Sequence, residues 1–122
     1  MPTIAYLCTD LLFTSKIRET ASALGHTAQA TQGPASLALA AREAALVVVD
    51  LRRSDALAAL DALAADAASI TAAIVGFVDH ERTDLMEEAR RRGCTPLAKG
   101  KFSSELKHLL PAHAGTPEVS GR

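Results

Sequence analysis

Asp50 closes the run Ala45-Leu46-Val47-Val48-Val49-Asp50-Leu51 and is the residue of this chain best placed for chemistry. A short run rich in β-branched residues suits a strand buried on both faces of a parallel sheet. An acid at its far end emerges at the carboxyl edge of that sheet, where open α/β folds place their sites. A buried carboxylate needs a partner. Lys99, which follows Leu97-Ala98, would keep Asp50 ionised without a metal. Asp10 and Asp79 are the carboxylates that would have to join Asp50 in a metal site. Mg²⁺ wants several oxygen ligands in a near-octahedral array, so Asp50 alone is a poor site. The expectation is therefore an Asp50–Lys99 ion pair, with a three-carboxylate magnesium site as the alternative. His80, beside Asp79, has a side chain that titrates near neutral pH and can ligate metals, but it reads as a solvated residue at a helix start.

The elements that must position these groups alternate regularly. Thr3 to Cys8 reads as a first strand, and Leu12, Phe13, Ile17, Ala21 and Leu24 recur at helical spacing before Gly25 stops the helix. His26 to Thr31 is a weak second strand, near an edge because polar and small residues alternate. Gly33-Pro34 opens a helix to about Ala44. Ala45 to Asp50 is the third strand, and Ser54-Asp55 caps a helix ending near Ala67. Ala72 to Val78 is the fourth strand, with a helix from Asp79 or His80 to Arg92 and a stop at Gly93. Thr95 to Ala98 is the fifth, and Ser103 or Ser104 opens the last helix, which ends before Pro111. Five strand–helix units predict an α/β, flavodoxin-like, doubly wound five-stranded parallel sheet of order 2-1-3-4-5 over residues 1–110. Residues 111–122 hold Gly, Pro and Ser without periodicity and read as a disordered tail.

In that topology Cys8, Thr9, Asp10, Asp50, Val78, Asp79, His80 and Lys99 share one rim. Here the chain resembles the CheY-like receiver domains of two-component response regulators, from about Thr3 to Leu110. Val47-Val48-Val49-Asp50-Leu51 is similar to the strand that carries the phospho-accepting aspartate. Leu97-Ala98-Lys99 is similar to the strand ending in the receiver lysine, and Glu88-Ala89-Arg90-Arg91-Arg92-Gly93-Cys94 to the end of the fourth helix. Thr9-Asp10-Leu11-Leu12-Phe13-Thr14-Ser15-Lys16-Ile17 and Gly76-Phe77-Val78-Asp79-His80 resemble a group of short stand-alone bacterial receivers. The resemblance implies Asp50 as phospho-acceptor and Lys99 as the phosphoryl contact. The departures argue against that activity. The usual acid pair after the first strand aligns with Cys8 and Thr9, with only Asp10 acidic. Val78 replaces the Ser or Thr that contacts the phosphoryl group, and Arg52-Arg53-Ser54 replaces the residues that follow the aspartate. Lys99-Gly100-Lys101-Phe102 lacks the usual proline and reads as a loop. A degenerate receiver, a non-enzymatic signalling or protein-interaction module, is the expected function. The alternative is a phosphorylatable regulator with Asp10, Asp50 and Asp79 holding Mg²⁺. A small-ligand sensor using the same rim is a third reading.

Composition narrows the rest. Aromatics are 3% of the chain against 48% hydrophobic residues, so the core must be aliphatic. A net charge of -1 gives no bulk attraction for nucleic acid or anionic membrane, and stacking residues for single strands are scarce. No long apolar segment or leader pattern is evident, which predicts a cytoplasmic protein. No Ser-His-Asp set, phosphate-binding glycine loop, paired-cysteine metal motif or Asp-x-His-x-x-Gly cobalamin motif occurs. Cys8 and Cys94 fall on opposite sheet edges and are expected to stay unbridged. Arg52-Arg53 is read as solvated or as facing an acidic partner, and Arg90-Arg91-Arg92 as complementing a helix dipole. The expected partner is a protein or a second copy, through the fourth and fifth helices and the fifth strand.

Overall fold

The computed structural model describes residues 3–110. The strands are β1 (Thr3–Leu7), β2 (Thr27–Ala30), β3 (Leu46–Asp50), β4 (Ala73–Val78) and β5 (Thr95–Ala98). The helices between and after them are α1 (Leu11–Ala23), α2 (Pro34–Ala41), α3 (Ala56–Ala65), α4 (Thr83–Arg91) and α5 (Lys99–Leu109). All strand pairs are parallel, in the order β2-β1-β3-β4-β5. The flavodoxin-like sheet expected from the sequence is the one observed. The tail assigned to residues 111–122 lies outside the described residues.

Strand periodicity sends alternate side chains to opposite faces. Val47 and Val49 pack with Leu37, Ala59, Leu60 and Leu63 beneath α2 and α3. Leu46 and Val48 pack with Phe13, Ile17, Phe102 and Leu106 beneath α1 and α5. All four β3 apolar residues are fully buried, each contributing about 1.5–3 kcal/mol of burial. Asp50 continues the series of Leu46 and Val48, so its side chain belongs to the α1/α5 face. That parity decides which residues can reach it.

Gly25 (φ 79°) and Gly93 (φ 83°) end α1 and α4 in the left-handed region, as the sequence predicts. Three helix starts differ from expectation. Helix α3 follows Asp55, but that carboxylate caps no helix N–H because Arg53 holds both its oxygens. Helix α4 begins at Thr83, leaving Asp79 and His80 in the preceding loop. Helix α5 begins at Lys99, directly after β5, so the segment read as a loop from Lys99 to Phe102 is helical. Gly100 and the lack of a side-chain cap at Ala98 conceal this start in the sequence. Burial of Phe102, fully enclosed against Phe77, overrides the weak local propensity. Cys8 and Cys94 are both free thiols in separate halves of the core. Burial pushes the Cys8 thiol up, and that of Cys94 up to about 12.

Candidate functional site

Asp50 ends β3 opposite Phe77 of β4 and is 4% exposed. Beyond it the chain is fixed by two contacts. The Leu51 N–H donates to the Phe77 carbonyl at 3.0 Å. The Leu51 side chain fills the space above Gly76, where an added Cβ would sit 2.8 Å from Leu51 Cγ. With Leu51 held on the α2/α3 side, Arg52 returns to the α1/α5 side, the side of Asp50.

Arg52 grips Asp50 with a two-pronged contact. Its Nε donates to Asp50 Oδ1 and its Nη2 to Oδ2, both at 2.8 Å. The Arg52 backbone N–H adds a third bond to Oδ1 at 3.0 Å. The same Nη2 also donates to Asp10 Oδ2 at 3.0 Å. One guanidinium nitrogen therefore sits between two carboxylates from different elements. Bidentate arginine–carboxylate pairs are the strong form of charge-assisted hydrogen bond. The Cys8 thiol completes the surround, donating weakly to Asp50 Oδ2 at 3.8 Å.

Asp10 is held by its own helix. Its Oδ1 accepts from the backbone N–H groups of Leu12 (2.9 Å) and Phe13 (3.3 Å), capping α1. Its other oxygen is left for Arg52. The Arg52 side-chain hydrogen bond, followed by the Phe13 N–H, holds the Asp10 carboxyl below its ordinary value. The paired Asp50, ahead of Asp10, pushes the Arg52 guanidinium still further up, so it stays charged throughout the accessible pH range.

Beneath the guanidinium lie aromatic rings. The Arg52 Cζ stands 5.3 Å from the Phe13 centroid and 5.5 Å from that of Phe77. Phe13 stacks on Phe77 at 4.5 Å, and Phe77 on Phe102 at 4.6 Å. All three phenylalanines of the chain are gathered here, in the half of the core that also holds Tyr6, while the half beneath α2 and α3 contains no aromatic ring. A cation over ring faces is stabilised by the ring quadrupoles, and arginine stacks there better than lysine.

Lys99 does not reach Asp50. Its Nζ pairs with Asp79 Oδ1 at 2.6 Å, and both side chains are about two-fifths exposed. Lys99 in turn holds the Asp79 carboxyl below its ordinary value. The expected Asp50–Lys99 pair is thus replaced by two separate pairs, Asp50–Arg52 and Lys99–Asp79. The physical reason is reach: a guanidinium two residues along the chain outcompetes an ammonium on the first turn of another helix. His80 is exposed and faces Glu81 at 3.6 Å. Arg53 forks onto Asp55 at 2.8 and 3.0 Å and lies 3.5 Å from Thr9 Oγ1.

The three carboxylates considered for a metal are therefore divided. Asp10 and Asp50 meet at a point held by Arg52, and Asp79 is engaged by Lys99. The remaining neighbour at that point is a thiol, a poor partner for a hard cation such as Mg²⁺. No cluster of three or more His, Cys, Asp or Glu residues suited to a metal occurs among the described residues. Arg52, read from the sequence as solvated or facing an acidic partner, instead turns inward to Asp50 and Asp10, and this role is what the sequence reading missed. The signal was present in the demand of a buried acid for a cation, which the nearest arginine along the chain can meet.

No protein-family model matches this sequence, and no curated protein does. Among solved structures the chain is similar to the chemotaxis response regulator CheY4 of Vibrio cholerae. The TM-score is 0.71 over 90% of this chain and 99% of that one, at 12% identity. The fold is CheY-like. At that identity the likeness concerns architecture, and the site must be read from its own residues. No helix among the described residues is long and apolar enough to cross a membrane.

Proposed function

We propose that this chain is a receiver-like signalling module that acts through protein contacts, with Asp50 withdrawn from magnesium-dependent phosphorylation. The observation that carries the reading is the Arg52 guanidinium, bound at once to Asp50 and Asp10. It supplies internally the positive charge that phosphoryl transfer to a carboxylate otherwise draws from a divalent ion. For Asp50 to act as nucleophile, Arg52 would have to leave both carboxylates and its aromatic seat. For Asp79 and Lys99 to join as metal ligand and phosphoryl contact, their mutual pair would have to break. Val78, at the end of β4, has no hydroxyl to offer a phosphoryl oxygen.

The working alternative keeps Asp50 as phospho-acceptor, Asp10 and Asp79 as magnesium ligands and Lys99 as the phosphoryl contact. One feature favours it: Asp10 and Asp50 already converge on a single cationic nitrogen. Incubation with beryllium fluoride and Mg²⁺ separates the two readings. The module reading expects no ligand-dependent shift in the amide spectra of residues around Asp50. A magnesium-dependent shift lost in Asp50→Asn would establish the alternative. We take the output surface to be α4, β5 and α5, the face that the resemblance to receivers implies. Helix α4 carries a dense set of ion pairs, Arg82–Asp84, Arg90–Glu87, Arg91–Glu88 and Arg92–Glu88, and so offers a partner protein a charged, ordered face.

A further inference from the structure

The opposite edge of the sheet has a different character. The chain carries 13 basic and 14 acidic side chains, yet no Lys, Arg, Asp or Glu falls in the 22 residues from Thr20 to Ala41. That segment forms the end of α1, the edge strand β2 and all of α2. Strand β2 pairs with β1 on one side, and no described strand pairs with the other. Natural proteins guard an exposed edge with charge, especially lysine, or with proline. The far edge follows that rule, since Pro96 sits within β5. The β2 edge, Thr27-Ala28-Gln29-Ala30, has neither device.

Helix α2 continues the anomaly outward. Its sequence, PASLALAA, is apolar at every position but Ser36, a pattern that belongs to a covered helix. Leu39 is 67% exposed. Arg42, at its end, is drawn away by its two-pronged bond to Asp66. Between β2 and α2 lies a groove of about 550 Å³ lined by Gln29, Thr31, Ser36, Leu39, Ala40 and Glu43.

We infer that a second copy of this chain covers the β2 edge and the outer face of α2, the two β2 strands running antiparallel about a two-fold axis. The sheet would continue from one protomer into the other, with each Leu39 packed towards the partner's groove. Charge pattern selects this occupant. A two-fold contact sets a surface against itself, so a charge near the axis meets its own like. Strand β2 and helix α2 carry no charge and satisfy that condition, with Glu43 lining the groove just past the helix end, whereas a strongly charged partner would find little complement here. The four-residue strand is only about 13 Å long. It cannot alone supply the roughly 800 Å² per partner of a stable interface, so α2 must share the contact. This inference does not depend on the state of Asp50, and it leaves α4, β5 and α5 free.

The full chain in solution provides the test, by light scattering at about 100 µM, a level at which even weak self-association registers. The expected mass is twice the 12.8 kDa of one chain. Gln29→Lys and Leu39→Lys, both at exposed positions, are each expected to return the chain to one copy, with unchanged circular dichroism. Gln29→Glu alone should do the same, and an equimolar mixture of Gln29→Lys with Gln29→Glu should recover the dimer. Glu87→Lys on α4 should leave it intact. A wild-type monomer overturns the inference, whether the face is then bare or taken by a different protein. So does a dimer that survives both lysine substitutions or is lost in Glu87→Lys.

Discussion

Truncating Arg52 leaves Asp50 as a buried acid without its guanidinium, and the cost of such a loss is large. Breaking a buried pair from one side typically costs 3–5 kcal/mol. Arg52 is 29% exposed, so Arg52→Met should sit at the low end, about 3 kcal/mol. Asp50→Asn should cost less, because Arg52 keeps Asp10, its aromatic seat and water. Chemical denaturation of the two single variants and the double variant Arg52→Met/Asp50→Asn measures the coupling. The double loss should fall short of the sum of the singles by at least about 1 kcal/mol. Arg52→Lys should not rescue, since an ammonium cannot span both oxygens of Asp50 and Asp10 Oδ2 in one plane. At this scale the sequence was only half legible. The buried acid and its need for a cation could be read from Val47-Val48-Val49-Asp50. The choice between Lys99 and Arg52 depended on where the chain turns after Leu51, which no periodicity encodes.

Elements hold this residue pair in place through two contacts. Gly76 of β4 lets Leu51 lie flat, and Leu51 directs Arg52 back across the sheet edge. Gly76→Ala would force a Cβ to 2.8 Å from a fully enclosed leucine. Overpacking of this kind costs about 1–3 kcal/mol, and it should displace Arg52 as well. Thermal unfolding reads the first effect, and the Arg52 Nε–H resonance reads the second. The aromatic stack is the other support. Phe102→Ala should cost about 3–5 kcal/mol and loosen the first turn of α5, which carries Lys99. Strand and helix order was readable because short strand-like segments, β-branched in β3 and weakest in β2, alternate with helically spaced ones five times. The start of α5 was not, because Gly100 argues locally for a loop and only the tertiary burial of Phe102 reverses that preference.

Across the molecule, six carboxylates are tuned in one direction. Arg52, Arg53, Arg42, Lys99 and Arg92 hold Asp10, Asp55, Asp66, Asp79 and Glu88 below their ordinary values, and Arg82 holds Asp84 at about 2. Each such carboxyl binds its proton more readily in the unfolded chain. Their contribution is therefore complete above the unfolded values and is lost as pH falls, from about pH 5 towards pH 2. Melting temperature should decline over that window and, because most pairs are exposed, decline less in high salt. The central claim concerns one point on this surface, the guanidinium shared by Asp50 and Asp10. Its most direct test is intact-mass spectrometry of the full chain after incubation with acetyl phosphate and Mg²⁺. The account predicts an unchanged mass. The gain of one phosphoryl group by the wild type, absent from Asp50→Asn, would contradict it.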